Sequence, residues 1–146
     1  MLRTAVAVTA GALLFAPPTV SAQANQWTRV VKAQIREHSS FLTDRGYELA
    51  TDVYQGSLHE RESEYLEATL HAGTQYAFLG VCDQDCTDID LRLFDPDGDE
   101  TDNDIGTDDW PVVKVTPQVT GKYKIKVIMV ACKTSPCFYG VGEFTK

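Results

Sequence analysis

The sequence has too few basic residues for a nucleic-acid-binding surface. Its 146 residues contain 13 Lys and Arg against 21 Asp and Glu, which gives a formal net charge of −8 at pH 7. Contacts to phosphate groups require a surplus of cations, so nucleic acid is excluded as a partner. Hydrophobic residues make up 43% and charged residues 23%, values that exclude wholesale disorder. The length suits one ordinary domain.

Common catalytic motifs are also missing. The sequence contains no G-x-S-x-G and no glycine-rich phosphate-binding loop. His59-Glu60 begins like the zinc-binding motif H-E-x-x-H, but Ser63 stands where the second histidine would be. We therefore predict a protein without enzymatic activity and assign no catalytic residue. Two alternatives stay open, a small secreted hydrolase that uses carboxylates and a structural envelope protein.

No apolar run reaches the length of a transmembrane helix. The run near the N-terminus covers positions 5–16, whereas about 20 apolar residues are needed to cross the hydrocarbon core. Arg3 precedes this run and the small residues of Val20-Ser21-Ala22 follow it, which is the order of a secretory signal peptide. We predict that residues 1–22 are such a peptide, cleaved after Ala22 or, as the second choice, after Ala24. The mature protein is then periplasmic or secreted and is not embedded in the membrane.

One amphipathic helix is predicted before the rest of the domain. Asn25 is a suitable N-cap, and apolar residues follow at near-helical spacing from Trp27 to Ile35. We predict a helix from about Gln26 to Leu42, within an N-terminal region of residues 23–46. Amphipathic helices usually bury their apolar stripe, so we expect this helix to cover one end or face of the domain. Binding of a partner by the same stripe is the alternative.

From Val53 onward the apolar residues alternate with polar ones, which indicates β-strands. The alternation is clear at Ile89, Leu91 and Leu93, and strands of this type have one buried and one solvated face, as in antiparallel sheets. Seven short strands without an intervening helix predict a mainly β domain over residues 47–146, an antiparallel β-sandwich. The predicted strands are Tyr54–His59, Tyr65–His71, Gln75–Cys82, Asp88–Phe94, Val112–Thr116, Lys122–Ala131 and Phe138–Phe144.

Four segments of this region combine strand and turn residues in a distinctive order. They are L-H-A-G-T-Q-Y from Leu70, D-I-D-L-R-L-F-D-P-D-G from Asp88, V-T-P from Val115 and G-K-Y-K-I-K-V from Gly121. In this order they resemble the bacterial pre-peptidase C-terminal domain family over about residues 53–144. The resemblance implies a jelly-roll-like β-sandwich that acts as an accessory binding module with a protein or polysaccharide ligand. Members usually follow a secreted peptidase, whereas we expect this chain to be a stand-alone member.

The negative charge is concentrated in one acidic segment, residues 83–109, which contains twelve acids and one base, Arg92. Like charges at this density repel each other, and water, salt or a bound cation relieves the repulsion. Ca²⁺ takes about six to eight oxygen ligands, which carboxylates and carbonyls supply. We predict a weak calcium site here and no other cofactor; ordinary turn chemistry in a solvated loop is the alternative. The candidate ligands are Asp95, Asp97, Asp99, Asp88 and Asp90.

The four cysteines fall in two close pairs. Neither spacing fits a zinc site, and exported chains favour disulfides. Three connectivities are possible, and we predict the local one, Cys82–Cys86 and Cys132–Cys137, because each pair brackets a short polar turn. Loops of this length contribute about 2 kcal/mol each by chain entropy. We therefore expect the bridges to fix the shape of loops more than to hold the domain together.

Trp110 is the aromatic candidate for ligand contact. It lies between Asp109 and Pro111 in a predicted loop, where its ring could stack on a sugar or a peptide. The alternative is a loop anchor that packs on the rim of the sandwich. We expect the mature protein to be a monomer.

Overall fold

The computed structural model describes residues 20–50 and 53–146, with side chains described for residues 26–50 and 53–146. Residues 1–19 of the predicted signal peptide lie outside the described residues, so its presence and its cleavage stay predictions. Among the described helices, none combines the length and the apolarity that crossing a membrane requires.

In the part of the chain that the structure describes, two helices precede the strands, α1 (Val20–His38) and α2 (Ser40–Thr43). The predicted amphipathic helix is confirmed, but its bounds differ. Asn25 lies inside α1 and is not its N-cap. At the other end Ser39 interrupts the helix, because its carbonyl accepts the N–H groups of Leu42 and Thr43 and so starts a new helical turn. Gly46, at φ +84°, then ends α2 with the backbone geometry that favours glycine.

Nine strands follow among the described residues, and the seven predicted ones are confirmed with small shifts of their ends. The two that the prediction missed are the first strand, of two residues, and the sixth, which consists of the polar residues E-T-D-N-D and therefore shows no apolar alternation. The strands are β1 (Glu48–Leu49), β2 (Tyr54–Leu58), β3 (Ser63–Leu70), β4 (Tyr76–Cys82), β5 (Cys86–Phe94), β6 (Glu100–Asp104), β7 (Val112–Val115), β8 (Gly121–Cys132) and β9 (Cys137–Thr145).

The strands form two antiparallel sheets. The first sheet has the order β1-β9-β4-β7, with β2 also paired to β9, and the second has the order β3-β8-β5-β6. The side chains of Ile89, Leu91 and Leu93 on β5 are buried between the sheets, as the alternation predicts. The antiparallel β-sandwich is therefore confirmed.

Helix α1 covers the outer face of the first sheet. Val31 and Ile35 pack there against Leu79 and other apolar side chains of β4 and β9. The helix approaches so closely that a Cβ atom on Gly140 would lie 2.1 Å from Cγ1 of Val31. The expected covering role of the helix is confirmed, and one outer face of the sandwich is left for other contacts.

Candidate binding surface

The second sheet presents its outer face to solvent. Tyr65 of β3 is 54% exposed on this face. Its ring meets that of Phe94 edge to face, with the centroids 6.1 Å apart, and Nζ of Lys126 lies 5.6 Å from the centroid of Tyr65. Nearby, Arg92 pairs with Glu100 at 3.1 Å. We define six outer-face residues as the cationic patch: Tyr65, Arg92, Phe94, Lys122, Lys124 and Lys126.

The sequence showed the lysines of this patch only as the solvated side of a strand. Their alternation with buried residues on β8 placed them on one face. The alternation could not show that Tyr65 and Arg92 lie beside these lysines, because the two residues belong to other strands. The pairings Tyr65 with Lys126 and Arg92 with Lys126 put these three residues side by side.

Both predicted disulfides are present, and they tie the two sheets together at one end. Cys82 ends β4 of the first sheet, and its partner Cys86 begins β5 of the second. Cys132 ends β8 of the second sheet, and its partner Cys137 begins β9 of the first. The bridges are local in sequence but connect different sheets. The expectation that they mainly fix loop shape therefore misses their role in the sandwich.

Asp83 joins the two disulfide loops. Its side chain is 4% exposed, and its Oδ1 accepts the N–H groups of Asp85 and Cys86 at 3.2 Å each. Its Oδ2 accepts the N–H of Phe138 at 2.8 Å. The N–H of Lys133 donates to the carbonyl of Asp85 at 2.8 Å. The signal for this role was an aspartate directly inside a short cysteine loop, where its side chain can accept N–H groups two and three residues on.

The side chain of Asp95 stabilises the turn between β5 and β6. Oδ1 of Asp95 accepts the N–H groups of Asp97 at 3.0 Å and of Asp99 at 2.9 Å. Gly98 has φ +92°, the left-handed geometry that suits glycine in a tight turn. In the part of the chain that the structure describes, no group of three metal-ligating side chains is close enough to hold an ion. The calcium site stays a prediction.

The other two calcium candidates lie toward the opposite end of β5. At about 3.3 Å per residue, Asp90 and Asp95 are roughly 16 Å apart along the strand, too far to share one ion. Asp88 and Asp90 each have one enclosed carboxylate oxygen without a hydrogen-bond partner. Burial and the neighbouring charge of Asp108 raise the pKa of Asp88. Burial and the charge of Asp88 are the main causes that raise the pKa of Asp90.

Two further aspartates of the acidic segment close the open side of the sandwich. Oδ2 of Asp102 accepts the N–H of Lys114 at 2.7 Å, and Oδ2 of Asp104 accepts the N–H of Val112 at 2.9 Å. These bonds connect β6, the edge of the second sheet, with β7, the edge of the first. Edge strands with free N–H groups invite pairing with other chains. Part of the acidic segment therefore satisfies the backbone of an edge strand.

Trp110 packs against the helices. Its ring stacks on that of His38 with centroids 5.5 Å apart and an interplanar angle of 16°. Phe41 approaches it at 6.5 Å. The residue is an anchor between the β6–β7 loop and the end of α1, and it remains 42% exposed. Stacking of a ligand on its free part stays a prediction.

Two carboxylates of the sandwich are paired with tyrosines. The hydroxyl of Tyr54 donates to Oε2 of Glu143 at 3.4 Å, and the hydroxyl of Tyr139 donates to Glu64. Burial raises the pKa of Glu143 and of Tyr139. Two cavities, of about 290 and 240 Å³, lie beside α1, and no carboxylate is among their described lining residues.

Sequence comparison finds no matching protein-family model and no similar curated protein. The resemblance to the pre-peptidase C-terminal domain therefore rests on the quoted segments and stays a prediction. Among solved structures, the chain is similar to PliG of Aeromonas hydrophila, a periplasmic lysozyme inhibitor of g-type lysozyme. The TM-score is 0.51 at 14% sequence identity, over 70% of this chain and 90% of that chain. At this identity the likeness shows a shared fold.

Proposed function

We propose that the protein is an exported, non-catalytic module that binds another protein through the open outer face of the second sheet. The observation that carries the proposal is the asymmetry of the sandwich. Helix α1 covers one outer face, while the other presents exposed aromatic and cationic side chains. Export agrees with the two disulfides, which persist in oxidising compartments.

The disulfides support the same function. They fix the second sheet to the first at one end, so its outer face is a preformed surface. A surface that is already ordered loses little conformational freedom when a partner binds, which favours affinity. A preformed face also changes little in shape on binding.

The partner that we propose is a lysozyme-like enzyme, and the effect of binding is inhibition. The support is the shared fold with a periplasmic inhibitor of g-type lysozyme. A hydrolase would instead need titratable groups that converge in a cavity. The two described carboxylates that are buried, Asp83 and Glu143, take part in hydrogen bonds with the backbone and with a tyrosine.

The test is a lysozyme assay. The protein is produced by export, so that its disulfides form, and is added to a g-type lysozyme acting on a peptidoglycan suspension. We expect inhibition at near-stoichiometric ratios and a complex in titration calorimetry. Undiminished lysozyme activity at a tenfold molar excess, with no heat of binding, would refute the inhibitor function. Clearing of the suspension by the protein alone would instead support the hydrolase alternative.

A further inference from the structure

The charges on the outer face of the second sheet are separated into two groups. Asp88 and Asp90 occupy the part of β5 nearest Cys86, whereas Arg92 lies closer to the opposite end. Lys126 of β8 is the register partner of Arg92. The face therefore has a cationic half, which is the cationic patch, and an anionic half.

Cations outnumber carboxylates in the cationic half. Of its four cations, Lys122 pairs with Glu67 at 3.7 Å and Arg92 pairs with Glu100 at 3.1 Å. Neither of the two remaining lysines of β8 forms an ion pair with a described carboxylate, because Glu67, the register partner of Lys124, pairs with Lys122 instead. In a chain with a net charge of −8, this local surplus of positive charge stands out.

Those two lysines are Lys124 and Lys126. Lys124 is exposed, and Lys126 is held over the ring of Tyr65. Cations of this kind attract carboxylates, and exposed aromatic rings add contact area that suits the centre of an interface. The surface therefore fits a partner that combines carboxylates with a place for an aromatic ring.

We propose that the cationic patch docks on the carboxylate-lined substrate cleft of a glycan-cleaving enzyme, an inference that rests on the proposed function. Most enzymes that cleave glycosidic bonds place a pair of carboxylates in the cleft. Lys124 and Lys126 supply the opposite charge, and Tyr65 supplies the ring. Asp88 and Asp90 repel the same carboxylates, so they restrict the orientation in which the face can dock.

The first test compares two double variants with the same change in net charge. K124E/K126E reverses the patch, and K114E/K146E is the matched control. The control lysines also lie over aromatic rings, those of Phe41 and Tyr47, but outside the second sheet. We expect the inhibition constant for g-type lysozyme to rise at least tenfold for K124E/K126E and to stay within threefold for the control. Thermal melts of both variants serve as the control for folding.

The second test uses a hexaglutamate peptide, followed by amide chemical shifts, and does not depend on lysozyme. We expect shifts confined to β3, β8 and β5, lost in K124E/K126E, and weaker as NaCl is added. If the wild-type protein inhibits lysozyme and K124E/K126E inhibits it equally, the docking proposal is overturned while the proposed function stands. If no lysozyme is inhibited, the proposed function fails, and the peptide experiment alone decides whether the cationic patch binds carboxylates. A peptide that causes no shifts overturns the carboxylate proposal.

Discussion

Cys86 and Cys132 are direct partners in the β5–β8 pairing of the second sheet, and each is bridged to a different strand of the first sheet. Their partners are Cys82 at the end of β4 and Cys137 at the start of β9. The same end of the sandwich is therefore fastened twice. This arrangement holds the open face of the second sheet in a fixed position relative to the helix-covered first sheet.

Removal of the second disulfide measures this fastening. By chain entropy a bridge that closes so short a loop contributes about 2 kcal/mol, so we expect C132A/C137A to lose about that much free energy of unfolding in urea. Because Cys86 and Cys132 are neighbours, the loss for all four substitutions should differ from the sum of the two pairs. A loss below about 0.5 kcal/mol would show that the bridge does not restrain the sandwich.

Asp83 is the next part of the same end. Both carboxylate oxygens of Asp83 accept backbone N–H groups. The substitution D83N replaces one of these oxygens by an amide nitrogen, which cannot accept an N–H group. We expect a loss of about 2 kcal/mol, because a buried N–H group loses its acceptor. The neighbouring, exposed Asp85 is the control, and D85N should change the stability by less than about 0.5 kcal/mol. Equal effects of the two substitutions would contradict this assignment.

The connection between the sheet edges predicts a local change in hydrogen exchange. In D104A the N–H of Val112 loses its acceptor, so we expect its exchange to become at least about tenfold faster, with a stability loss of about 1–3 kcal/mol. Asn103, the adjacent residue on β6, is exposed, and N103A should leave the exchange of Val112 unchanged. Unchanged protection of Val112 in D104A would rule out the connection.

The raised pKa of Asp90 predicts that its replacement by asparagine stabilises the protein in a pH-dependent way. Burial and the charge of Asp88 raise the pKa of Asp90 in the folded state. The protonated carboxyl group therefore adds to the free energy of unfolding at a pH below its unfolded-state pKa. This contribution is lost as the pH rises through the folded-state pKa. We expect D90N to stabilise the protein by about 0.5 kcal/mol at pH 7 and to give no gain at pH 3. Melting curves at both pH values test this, with D97N, on the exposed turn, as the control. A gain that is equal at both pH values would contradict the electrostatic cause.

The sequence by itself determined the type of the long helix and of seven strands, and much of the local chemistry. The alternation along β5 and β8 fixed which side chains are buried, because neighbouring side chains of a strand point to opposite faces. The short cysteine spacings favoured the two disulfides that are present, since the paired cysteines are only four and five positions apart. The helix was recognised from its apolar stripe, while its start was misplaced because Asn25 can serve as a cap or lie inside a helix.

Only the tertiary structure decided what these elements do together. Strand β6 has no apolar alternation. It forms because it pairs with the edge of β5 and because the carboxylates of Asp102 and Asp104 accept backbone N–H groups of β7. The cationic patch is drawn from three strands that are far apart in sequence, so no local pattern contains it. The two cysteine loops connect different sheets because consecutive strands change sheet there, and such a change leaves no trace in spacing or composition.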